Sequence, residues 1–138
     1  MKKLLLILTA LLFLSFGTNA EPAPKEIYSQ FKGINVVNLE RDIDLTYGGV
    51  LWIRMNFDEP IPEALGSSTI FSEACMNMYM NPETWKKYPV NKIKVTTLVE
   101  WRAYLFNGGQ KECVEYLTKD GAKEKYSKAP YFEVWERK

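Results

Sequence analysis

The sequence reads as an α+β domain: a mainly antiparallel sheet of about five strands, one principal helix packed on it, and one disulfide. Three patterns predict this. Apolar residues alternate with polar ones on both sides of Gly48-Gly49. The period then changes to a helical stripe between Ile70 and Tyr79, and alternation returns over Lys92 to Phe106.

Each element has its own reason. In 34–47, Ile43, Leu45 and Tyr47 alternate with Asp42, Asp44 and Thr46, and in 50–57 Leu51, Ile53, Met55 and Phe57 share one side. Two such runs around a glycine pair predict a β-hairpin, because glycine supplies the positive φ of primed turns. The prolines in Asp58-Glu59-Pro60-Ile61-Pro62-Glu63 remove ladder donors, so this stretch reads as an extended connector. Ile70, Phe71, Ala74, Cys75, Met78 and Tyr79 form one apolar helical stripe, with Ser67 or Ser68 as the cap and Pro82 as the stop. Asn81-Pro82-Glu83 then resembles a new helix start that carries Trp85 and Tyr88. The run 92–106 is read as a single long strand, with Ile93, Val95, Thr97, Val99, Trp101, Ala103 and Leu105 on one face. For 110–118 the residues fit a helix or a return strand; the Asn107-Gly108 turn favours the strand. Residues 119–129 are polar and lysine-rich, and Tyr131 to Trp135 forms the last strand.

The start of the chain carries an export pattern. Lys2 and Lys3 precede an apolar run from Leu4 to Phe16, and Thr18-Asn19-Ala20 supplies the small residues of a cleavage site. The run falls short of the roughly 20 residues that span a bilayer. The expected organisation is therefore a cleaved signal peptide over 1–20, a flexible leader over 21–33 and a single domain over 34–138. Cleavage removes two lysines and moves the net charge from +1 to −1. The style of the leader is bacterial and favours the periplasm, with secretion beyond the cell as the other destination. No later stretch is apolar enough to anchor the mature chain.

An oxidising compartment decides how the two cysteines are read. Cys75 and Cys113 lie too far apart for a Cys-x-x-Cys redox pair and are expected to form a structural bridge. A loop of roughly 40 residues gives such a bridge about 4 kcal/mol in the chain-entropy account.

Composition narrows the function. The chain has no histidine, which removes Ser-His-Asp and Cys-His catalysis and His-ligated metals. Eighteen basic residues against 17 acidic ones give no electrostatic case for nucleic acid. The glycine pairs lack phosphate-loop spacing, Asp42 and Asp44 lack a calcium-loop context, and no cofactor or metal is expected. Four Trp, eight Tyr and five mature-chain Phe exceed what one small core needs, which suggests an aromatic surface for a partner. Trp52 stands on the opposite side of its strand from Leu51 and Ile53, together with Arg54, and acidic Asp58 and Glu59 follow. These four residues are the candidate binding surface. The expected function is a non-enzymatic exported binding protein (an inhibitor, an immunity protein or an envelope accessory factor) acting on another envelope protein. The alternatives are a carboxylate-dependent glycan hydrolase and a carrier of small apolar ligands.

Overall fold

The computed structural model describes residues 20–31, 36–44 and 48–138. The residues read as a signal peptide lie outside this set, apart from Ala20. The fold is α+β, with helices, one sheet and one disulfide. Among the described residues the sheet has six strands in chain order: β1 (Ala20–Pro22), β2 (Val36–Asp44), β3 (Gly48–Met55), β4 (Val90–Thr96), β5 (Arg102–Phe106) and β6 (Phe132–Glu136). Four neighbouring pairs are antiparallel, and β3–β4 is parallel. Parallel neighbours need a long crossover. Here it consists of α2 (Glu63–Ser68), a π-helical segment (Thr69–Ala74), α3 (Cys75–Met80) and α4 (Pro82–Lys87), with α1 (Lys25–Tyr28) lying ahead of β2. Between β5 and β6 lie α5 (Gln110–Thr118) and α6 (Ala122–Tyr126).

The core lies between the helices and one face of the sheet. Leu51, Ile53 and Met55 of β3 meet Ile93 and Val95 of β4 and Tyr104 and Phe106 of β5, all buried. Ile70, Phe71, Ala74, Cys75 and Met78 cover them from the helical side. Phe71 is the hub: its ring stacks on Tyr116 at 4.2 Å and meets Phe106 edge-on at 5.1 Å. Thr69, Ile70 and Phe71 are consecutive and all buried, which asks for a wider turn than 3.6 residues, and the π segment provides one. Gly66 lets α2 rest directly on the sheet, since a Cβ there would stand 2.3 Å from the Tyr104 ring. The Tyr104 hydroxyl donates to the Ile61 carbonyl at 2.5 Å, which holds the connector down.

Several expectations are corrected. The helix begins at Glu63 rather than at a serine cap, because packing of Gly66 on Tyr104 keeps Gly66, Ser67 and Ser68 helical. Tyr79, placed on the buried stripe by its spacing, is exposed. Segment 110–118 is the helix α5, not a return strand. The Glu112 carboxylate accepts from the Gly109 amide at 2.9 Å and caps its start, while Cys113, Tyr116 and Leu117 turn toward the core. A Cβ at Gly109 would lie 1.8 Å from the Val90 carbonyl oxygen, so this glycine is there for close approach and not for a hairpin turn. The single strand read over 92–106 is two antiparallel strands, β4 and β5, that reverse at 97–101. The reversal changes the phase of alternation: Ile93 and Val95 face the core, whereas on β5 the core residues are Tyr104 and Phe106. The strand count is accordingly six, counting the short β1, instead of five.

The expected leader is also tied down as far as residue 31. Ala20–Pro22 pairs with β2, the Ala23 amide donates to Leu39, and Ile27 and Phe31 enter the core. The Trp85 indole donates to Gln30, and Lys87 pairs with Glu26 at 3.0 Å. At the far end, the Tyr126 hydroxyl donates to Glu115 across the α5–α6 corner. That bond lowers the Glu115 carboxyl and, with burial added, pushes the Tyr126 phenol up to about 12.

Cys75 and Cys113 are fully buried and bonded, with Cα atoms 4.7 Å apart. The bridge therefore ties helix to helix, α3 to α5; a return strand over 110–118 would have made it a bond from helix to sheet. Replacing both cysteines by alanine is expected to lower the unfolding free energy by about 4 kcal/mol in urea titration. A loss under about 1 kcal/mol would show that packing of α3 on α5 holds the corner without the bond.

Candidate surface on the open face of the sheet

Among the described residues the helices cover only one face of the sheet. The other face is built from the residues that alternate with the core. From β3 it takes Val50, Trp52 and Arg54, and from β4 Lys92, Lys94 and Thr96. Ala103 and Leu105 of β5 and Glu133 and Trp135 of β6 complete it. Trp101 continues the Ala103 side beyond β5. Its carbonyl accepts from the Arg137 amide at 2.9 Å, so the β5–β6 ladder runs on to the chain end.

Trp52 is fixed from three sides. Its indole N–H donates to Thr96 Oγ1 at 2.7 Å, across the parallel β3–β4 pair. The Arg54 guanidinium lies 4.5 Å from the ring centroid and the Lys94 ammonium 4.1 Å, both within cation–π range. Lys94 reaches the ring because the register sets it beside Trp52. Arg54 is in turn held by Glu100 at 2.7 Å, with the two side chains 26% and 43% exposed. Glu100 has φ +51°, a left-handed conformation that costs a non-glycine residue about 1–2 kcal/mol. The turn carrying it is anchored where the Leu98 amide donates to the Phe57 carbonyl at 3.1 Å.

Beside this cluster runs a groove of about 350 Å³ lined by Val50, Lys92, Lys94, Ala103, Leu105 and Trp135. Its floor is apolar, two ammonium groups stand on one side, and the half-exposed Trp135 indole stands on the other. Neither lysine has an ion-pair partner among the described residues. A smaller hollow of about 240 Å³, lined by Trp101, Arg137 and Lys138, lies at the end of the β5–β6 ladder, and Trp101 is 63% exposed there. The fourth tryptophan, Trp85, is a core residue.

Of the residues singled out by sequence, Trp52 and Arg54 are brought into direct contact. Asp58 and Glu59 lie exposed in the connector and form neither a hydrogen bond nor an ion pair among the described residues; the acid that meets Arg54 is Glu100. Asp42 and Asp44 are on β2, opposite Val50 and Gly48 in the register, and Glu40 is opposite Trp52. Among the described residues no three His, Cys, Asp or Glu side chains gather as metal ligands. Lys92, Lys94 and Leu105 are surface residues that sequence alone does not mark. Their signal was the Lys-x-Lys alternation against Ile93 and Val95, visible once the phase change at 97–101 is known.

Comparison with known proteins returns no match: no family model, no curated protein and no solved structure resembles the chain.

The Glu100 geometry has a measurable consequence. Glu100→Ala keeps the unfavourable φ and loses the ion pair, so it is expected to destabilise by about 0.2–1 kcal/mol. Glu100→Gly also loses the pair but relieves the backbone, and should be more stable than the alanine variant by about 1–2 kcal/mol. Equal urea midpoints for the two variants would show that the turn is unstrained.

Proposed function

We propose that the chain is a small exported binding protein, working in the periplasm without catalysing a reaction, which engages another envelope protein through the open face of its sheet. The observation that carries this reading is the placement of tryptophan. Three of the four indoles stand on the face left uncovered by the helices: Trp135 lines the apolar-floored groove, Trp52 lies under its Lys94, and Trp101 lines the separate hollow at the end of the β5–β6 ladder. Trp and Arg are the residues that dominate binding energy at protein interfaces, and an open apolar groove is where such anchors concentrate. The disulfide supports an oxidising destination. Among the described residues no helix is long and apolar enough to cross a membrane.

Trp52 and Arg54 remain in the proposed surface. The acidic contribution of Asp58 and Glu59 gives way to a basic one from Lys92 and Lys94, because these lysines flank the groove.

Site-specific photo-crosslinking in intact cells tests the reading. A photoreactive side chain at Leu105, in the groove, is expected to capture one discrete envelope protein. The same group at Met76, exposed on the helical side, should not. Identical products from both positions, or none from Leu105, would overturn the assignment of the face. Release of soluble fragments from cell-wall material by the purified chain would overturn its non-enzymatic character.

A further inference from the structure

The groove says more about its occupant than that it is a protein. Lys92 and Lys94 are two residues apart on β4 and point to the same side, so their stems are about 6.6 Å apart along the strand. Carboxylates at alternate positions of an extended segment have the same spacing, since both follow the strand repeat. One step further along β4 is Thr96, and at that level across the sheet come Ala103 and then Trp135, paired in register. An apolar side chain placed two residues after the second carboxylate would rest there, on the alanine and against the indole. On the β6 flank Glu133, paired with Leu105, is exposed and accepts from the Asn107 side chain, so like charge at that edge holds an acidic occupant over β4 and β5.

Resting on the binding reading above, we propose that the partner contributes an extended segment with carboxylates at positions i and i+2 and an apolar or aromatic residue at i+4, laid along β4. The lysines select the charge and its spacing. The wall formed by Trp135 supplies the apolar anchor, and the Trp52–Arg54–Glu100 cluster bounds the seat at the β3 side. Charge pairs of this kind steer encounter and set register more than they add affinity, so the interaction should weaken with salt.

The test is an NMR titration of the purified exported chain with a terminally blocked peptide Glu-Ser-Glu-Ser-Phe. Shifts are expected at Lys92, Lys94 and Leu105 and at the Trp135 indole, with the Trp85 indole unmoved. The Lys92→Gln/Lys94→Gln variant should bind about tenfold more weakly, and its unmoved Trp85 signal reports that the core is intact. Equal binding of Lys-Ser-Lys-Ser-Phe or of the rearranged Glu-Glu-Ser-Ser-Phe would overturn the proposal. So would shifts at these residues with phosphatidylglycerol vesicles or polygalacturonate but not with the peptide, which would assign the face to lipid or glycan. Shifts that grow with protein concentration alone would assign it to a second copy, whose own Glu40, Asp42 and Asp44 alternate on β2. If Leu105 crosslinks a partner while the peptide does not bind, the binding reading stands and only the acidic segment falls.

Discussion

Because β3 and β4 run parallel at the centre of the sheet, the chain must return along the length of β3 before it enters β4. It returns through α2, the π segment, α3 and α4, and their apolar stripe places this layer on one face. α5 and α6 then join the same layer, and the Cys75–Cys113 bond fixes α3 to α5. The same parallel register sets Lys94 beside Trp52 and Thr96 beside Arg54. One pairing therefore builds the core on one side and the cation–aromatic cluster on the other.

The two sides differ in what holds them. On the helical side the constraint is close packing: Gly66 against Tyr104, and Phe71 among three other rings. On the open side it is directional and polar. The Trp52 indole is oriented by a hydrogen bond and two cations, and Arg54 by an acid on a left-handed turn. Pre-oriented indoles lose little freedom when a partner arrives, which favours binding. Strain at Glu100 fits that role, since unfavourable backbone conformations gather where a side chain must be aimed.

Much of this was legible in the residues. The alternation in β3 separates Leu51 and Ile53 from Trp52 and Arg54, the stripe from Ile70 to Met78 finds the covering helix, and the export pattern of the first twenty residues together with two cysteines points to the bond that forms. What escaped depended on contacts distant in sequence. Nothing local marks 97–101 as a reversal: the apolar period runs through it unbroken, and the left-handed Glu100 is held by Arg54, on another strand. Read as one unbroken strand, the segment puts Leu105 on the core side and Tyr104 opposite, the reverse of their places in the fold. Helix α5 hid for a similar reason, because Gly108-Gly109 resembles a turn until the approach of the Val90 carbonyl is known.

One face of the sheet is sealed by the helices and the other is open to solvent. Paramagnetic broadening of the four indole N–H signals by a neutral, soluble gadolinium chelate tests it most directly. Trp101 and Trp135, 63% and 50% exposed, should broaden strongly, Trp52 partially, and Trp85, at 1%, hardly at all. Protection of Trp101 and Trp135 to the level of Trp85 in dilute solution would mean that the face is covered within the chain itself, and would contradict the account.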